Sequence, residues 1–237
     1  MELCRYVSFQ RFCEMVMSSK LTLISPEKWN DKYENYLLRA LEKPLLKQAF
    51  SDMLSDKLNL DKTQIDDLLC FSNTICAGAR CLCFSKSIDE EVMWNAYNYG
   101  SQTVMWKTTD SKIEKINNMF DIRKVKYDLE ELGVKGFVDL FSRTGATTGV
   151  TNPHNLFTHK RKMFSYENEF RVIDYLDEPN SPTFVAYPIE DISHFIDCVM
   201  VHPLAEDWYV SVIELICKNY NIKFCGRSQI YQLNNLY

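Results

Sequence analysis

Short strand-like runs recur from the first residues of the chain to near its last, with helical spacing between them. Residues 3–6, 21–24, 81–84, 103–106, 125–127, 166–173, 184–187 and 197–201 are apolar or β-branched and bounded by turn chemistry. Residues 222–225 and 229–233 are further strand candidates. Residues 8–19 place Phe9, Phe12, Cys13, Val16 and Met17 on one helical face. Residues 111–119, 129–141 and 205–219 are also amphipathic, and Ser87 to Glu91 has the composition of a helix start. Strands at both chain ends, interleaved with helices, predict an α+β fold: mixed, mainly antiparallel central sheets with flanking helices.

Residues 37–72 form a helical block, read as an insert in a single domain spanning residues 1–237. Thr144 to Asn155 is the one Gly/Thr/Asn-rich stretch and the candidate mobile loop. A 46% apolar content and a net charge of −5 exclude a disordered chain. The mild acidity also argues against a protein that coats nucleic acid, which needs a basic surface. Two short basic runs, Lys160-Arg161-Lys162 and Arg123, Lys124 and Lys126, read as solvated faces. No apolar stretch is long enough to span a bilayer. Met1-Glu2-Leu3-Cys4-Arg5 lacks the layout of a signal peptide. The expectation is a cytoplasmic protein, no membrane partner, and nine cysteines present as free thiols.

Only seven glycines occur, and they form neither a Walker loop nor a dinucleotide-binding fingerprint. Cys70, Cys76, Cys81 and Cys83 lack paired C-x2-C knuckles. The four histidines, His154, His159, His194 and His202, lack metal-like spacing, so no metal is expected.

Tyr166-Glu167-Asn168-Glu169-Phe170-Arg171 is the most informative segment. As a strand it puts Glu167, Glu169 and Arg171 on one side. Two neighbouring carboxylates repel, and Arg171 offsets that. Such a pair can stabilise positive charge developing on a sugar ring, or it can be an exposed strand face with one ion pair. Trp29-Asn30-Asp31-Lys32-Tyr33-Glu34 combines aromatics with short polar groups, as a ligand-binding wall or an ordinary turn would. Trp94 and Tyr97 share a helix face, suited to core packing or to a pocket. Arg5 in an apolar strand pairs with a buried carboxylate or binds an anion.

Together these segments resemble a widespread bacterial family labelled a domain of unknown function. The resemblance rests on Arg5-Tyr6, on Trp29 to Glu34 as (F/W)-N-D-P-(F/Y)-E, and on Cys83-Phe84-Ser85. Met93, Trp94 and Tyr97 supply M-W-x-x-Y, and Tyr166 to Arg171 supply Y-E-x-E-(W/F)-R. The order is kept across residues 5–171. Lys32 stands where the family has Pro, and residues 99–103 replace its H-x-G stretch.

The layout is similar, more distantly, to the ADP-ribosyltransferase superfamily, which includes toxin and phage-defence enzymes. That resemblance implies an ADP-ribosyltransferase-like fold, NAD as substrate and a protein or nucleic-acid acceptor. Glu169 would stabilise an oxocarbenium-like transition state, Glu167 would orient the acceptor, and Arg171 would complete the catalytic set. Arg5, Tyr6, Trp29, Asn30, Asp31, Glu34, Trp94 and Tyr97 would hold the cofactor. The alternative is a non-catalytic module that uses the same pocket to recognise a nucleotide or a partner protein. A third reading is hydrolytic cleavage of a nucleotide or nucleic acid.

Overall fold

The computed structural model describes residues 1–29, 31, 34, 44–59, 61–129, 157–176 and 182–232. Strand β1 (Glu2–Ser8) is buried on both faces and sits centrally. Its last residue, Ser8, caps helix α1 (Phe9–Ser18) by accepting from the Arg11 N–H. Phe12, Met15 and Val16 of α1 turn inward, as the apolar spacing dictates. Ser19 ends the helix in the left-handed region, and β2 (Lys20–Ile24) follows. Helices α2 (Pro44–Leu58) and α3 (Lys62–Gly78) then lead into β3 (Ala79–Ser85).

The remaining elements alternate. They are α4 (Glu91–Ala96), β4 (Thr103–Thr109), α5 (Asp110–Ile116), β5 (Asp121–Lys124) and β6 (Glu169–Tyr175). Then come β7 (Phe184–Pro188), α6 (Ile192–Phe195), β8 (Cys198–Val201), α7 (Asp207–Asn219) and β9 (Phe224–Arg227). The fold is α+β, with a mainly antiparallel sheet and flanking helices. Among the described residues nine strands form one sheet, in the order β5-β6-β3-β1-β4-β8-β9, with β2 joining β3 to β7. Every pairing is antiparallel except β8 with β9.

One irregularity positions the site. Strands β1 and β2 both lean on the same edge of β3, β1 at Ser85 through Cys4 and β2 at Cys81 through Ile24. No ladder joins β1 to β2 among the described residues. The sheet therefore splits between them. At the split Arg5 Nη1 donates to the Cys83 carbonyl at 2.6 Å, satisfying an acceptor that lies between the two strand contacts.

The main core lies between the sheet and α1, α5 and α7, around Leu3, Phe12, Phe84, Trp106, Val199 and Ile213. Burying each such large side chain contributes about 1.5–3 kcal/mol. The other sheet face carries a cluster of Cys4, Tyr6, Met93, Trp94 and Met105.

Several boundaries differ from the sequence reading. Residues 166–173 are not one strand. Lys162–Glu167 coil into a 3-10 turn, and Asn168, at φ 41° and ψ 51°, reverses the chain before β6 begins at Glu169. Asn tolerates that conformation better than most residues. The strand expected at residues 125–127 lies at Asp121–Lys124, leaving a lone bridge from Lys126 to His159. Ser87 to Glu90 precede α4 rather than starting it, because Asp89 adopts φ 57° and its N–H is bound by Tyr6 Oη. Gln229 to Gln232 form a turn rather than a strand. Helix α3 runs on to Gly78, past the expected end of the helical block, while residues 37–43 lie outside the described residues. So does the candidate loop from Thr144 to Asn155. Among the described residues no helix is long and apolar enough to cross a membrane.

Candidate active site

Alternation along β6 sends Phe170 and Val172 to the core and Glu169 and Arg171 to the opposite face. Both charged side chains are almost fully buried, which demands partners. Arg171 Nε and Nη2 bind the two oxygens of Glu169 at 2.7 and 3.2 Å, a bidentate fork. Its Nη2 also donates to Glu34 at 2.5 Å and its Nη1 to the Phe157 carbonyl at 2.6 Å. The Trp29 ring covers the guanidinium, 4.1 Å from the ring centre to Cζ.

Lys160 completes the cluster. Its Nζ lies 2.5 Å from Glu167, 3.1 Å from Glu169 and 3.2 Å from Glu34, which matches its three donors with three carboxylates. Phe164 packs under the ammonium at 4.8 Å. The strap that carries Lys160 is held in place: Lys160 N–H donates to the Lys126 carbonyl, and Leu129 N–H to the Lys160 carbonyl. The 3-10 turn that carries Glu167 is tied to the end of β3. Ser85 Oγ donates to the Glu167 carbonyl at 2.5 Å and Ser87 Oγ to that of Tyr166 at 2.8 Å. Tyr97 Oη donates to Glu167 at 3.4 Å, and Tyr127 Oη accepts the Glu169 N–H at 2.7 Å.

The two glutamates are tuned in opposite directions. Burial alone would raise Glu169, but Arg171 and then Lys160 outweigh it and hold the carboxyl at about 2. Burial raises Glu167, and Lys160 offsets that only in part. Burial would also lower Lys160, yet Glu169, Glu34 and Glu167 hold it above its ordinary value. Burial lifts the Tyr97 phenol, and it pushes Tyr127 up to about 12.

A cleft of about 770 Å³ opens beside the split in the sheet, within the range of small-molecule sites. Its lining includes Glu34, Glu167, Glu169 and Lys160, with Trp29, Asp31, Tyr97 and Arg5. Asp31 is paired with Arg161 at 3.2 Å. A small alcove of about 70 Å³ continues between Tyr6, Tyr97 and the two glutamates.

The structure thus brings together Arg5, Trp29, Asp31, Glu34, Tyr97, Glu167, Glu169 and Arg171. Asn30 lies outside the described residues. Trp94 is a correction to the sequence reading. It is fully buried, donates its Nε1 to Asp89 at 2.8 Å and packs edge-on against Tyr6, so no ring face is open to a ligand. Tyr6 reaches the alcove but spends its hydroxyl within the protein, donating to the Ser87 carbonyl at 3.0 Å. Lys160 is the second correction. It stands in a basic run expected to be solvated, yet is 7% exposed. Sequence reasoning also missed Tyr127, and named Ser85 only as part of a motif. Among the described residues no group of His, Cys, Asp and Glu is arranged to hold a metal ion.

No protein-family model and no curated protein matches the chain. Two solved structures are similar to it. DarT from Thermus sp. 2.9 in complex with NAD+ is 9% identical, with a TM-score of 0.42 and 96% of each chain covered. The same protein in complex with ADP-ribosylated ssDNA is 9% identical, with a TM-score of 0.41, 96% of this chain and 94% of that chain covered.

Proposed function

We propose that this chain is an NAD-dependent ADP-ribosyltransferase-like enzyme whose key acid is Glu169. The observation that carries the reading is a buried carboxylate in the lining of an open cleft, held ionised there by Arg171 and Lys160. Fixed negative charge in a water-poor site is suited to positive charge that develops in a transition state. The cleft lining also suits a ligand of mixed charge. Around Glu169 three carboxylates face two cations. Arg5 has no carboxylate partner among the described residues, and so suits a diphosphate.

In this reading the bond between ribose C1′ and nicotinamide breaks, and its electron pair leaves with the ring nitrogen. The positive charge left on the ribose is stabilised by Glu169. The acceptor bonds to C1′, and its proton passes to Glu167, whose raised pKa suits a proton acceptor. Tyr97 and Trp29 line the nicotinamide end, and Asn30 and Asp31 meet ribose hydroxyls. Glu34 and Arg171 hold Glu169 and Lys160 in place. The acceptor is a protein or nucleic acid.

A second reading has one specific observation in its favour. Lys160 and Arg171 already offset two of the three carboxylates, as in a site that binds without reacting. The test is incubation of purified protein with nicotinamide-labelled NAD and candidate acceptors. Release of nicotinamide supports the enzyme. An NAD-dependent rise in thermal midpoint with no release supports the binding module, and neither effect contradicts both.

A further inference from the structure

The cleft has a neighbour across the split in the sheet. Arg5, Ile24 and Leu82 line the cleft, and the same three residues line a second cavity of about 160 Å³. Helix α1 walls that cavity through Arg11 and Glu14. The two spaces therefore adjoin at Arg5.

Strand β2 builds the opposite wall. Lys20, Thr22 and Ile24 share one face of the strand and all line the cavity. Phe184 of β7 pairs directly with Ile24, lines the cavity too and is half exposed. Ile24 and Phe184 thus offer an apolar surface that suits one face of a heterocyclic base. Thr22 lies about 7 Å from Ile24 along the strand, a span that a ribose bridges between its base and a phosphate.

The charges are unbalanced in favour of an anion. Arg5, Arg11 and Lys20 face a single acid, Glu14. Arg11 holds that acid at 2.7 Å. Arg5 and Lys20 are left with no carboxylate partner among the described residues. The Thr22 hydroxyl also has no protein partner among the described residues. An ammonium and a free hydroxyl two residues apart on one strand face are suited to a phosphate. In the reaction proposed above Arg5 meets the diphosphate of the dinucleotide. Lys20 then has no phosphate to bind in NAD, and one more phosphate on the adenosine ribose supplies it.

We propose that the second cavity takes the adenosine half of the dinucleotide, and that Lys20 and Thr22 select a ribose carrying a 2′-phosphate, so that NADP is preferred to NAD. The inference rests on the proposed dinucleotide reading of the cleft, but the cavity can be probed without any chemistry at the glutamates.

Calorimetric titration of the full chain with adenosine 2′,5′-bisphosphate and with adenosine 5′-monophosphate tests it. The bisphosphate is expected to bind about tenfold more tightly, with the advantage shrinking as salt rises. Lys20→Gln should bring the bisphosphate down to the affinity of the monophosphate. Thr22→Val should narrow the gap by a smaller factor. Inorganic phosphate should compete poorly, because it lacks the base. Equal affinity for the two nucleotides overturns the inference, as does an advantage that survives Lys20→Gln. Inorganic phosphate bound as tightly as the bisphosphate would also overturn it, by making the cavity a free-phosphate site. Bisphosphate binding that depends on Lys20, in a protein that releases no nicotinamide, would support the inference and sink the proposed reaction.

Discussion

Lys160 Nζ and Glu169 Oε2 meet at 3.1 Å although a 3-10 turn and a left-handed Asn168 lie between them in the chain. The turn carries Glu167 to the same ammonium, so the two glutamates are joined by a shared cation rather than by a common strand face. Arg171 grips Glu169 from the other side. The arrangement leaves Glu169 ionised and immobile, and keeps Glu167 the more basic carboxylate of the two.

Acid should unfold the protein partly through Glu169. Its folded pKa of about 2 lies below the ordinary 4.5. The stabilisation is therefore fully present above pH 4.5 and is lost as pH falls through that value toward 2. Its size is on the order of 3 kcal/mol. Urea midpoints measured down this range should fall for the wild type and fall less steeply for Glu169→Gln. Parallel curves would contradict the assignment.

Lys160→Met should destabilise the fold by about 3–5 kcal/mol, because it leaves three buried carboxylates facing one cation. Without the ammonium Glu167, whose pKa burial already raises, becomes harder still to ionise. Its cost is then present at neutral pH and relieved as pH falls through the raised value. Urea unfolding should show the smaller difference from wild type in mild acid. A deficit independent of pH would mean that Lys160 acts through packing alone.

Tyr6→Phe should cost about 1–3 kcal/mol, since it strips partners from two polar groups. These are the Ser87 carbonyl, which accepts from Tyr6 Oη, and the Asp89 N–H, which donates to it. At this chain length that is about 2–4 °C of thermal midpoint per kcal/mol. An unchanged midpoint would show that the alcove wall does not depend on the hydroxyl.

The sequence carried the fold where local signals agreed. The apolar spacing of Phe12 and Val16 faces the core, and Leu21 and Leu23 alternate on β2. It misled where one pattern served two structures. The polar–apolar alternation of residues 166–171 mimics a strand, but Asn168 permits the reversal that ends the 3-10 turn. Glu167, Glu169, Arg171 and Glu34 were legible because charged groups beside aromatics stand out in the chain. Lys160 was not, since a lysine between Arg161 and a histidine looks solvated. Only the long-range approach of Glu34, Glu167 and Glu169 shows why burial is tolerable there. Trp94 misled in the opposite sense: its motif suggested a ligand wall, but its bond to Asp89 makes it part of the scaffold beneath Tyr6.

The most direct measurement compares wild type and Glu169→Gln for NAD affinity and for nicotinamide release under single-turnover conditions. If Glu169 acts on the transition state, the variant should bind NAD much as the wild type does and release nicotinamide about 10²–10³-fold more slowly. A folded Glu169→Gln protein that releases nicotinamide at the wild-type rate would contradict the account.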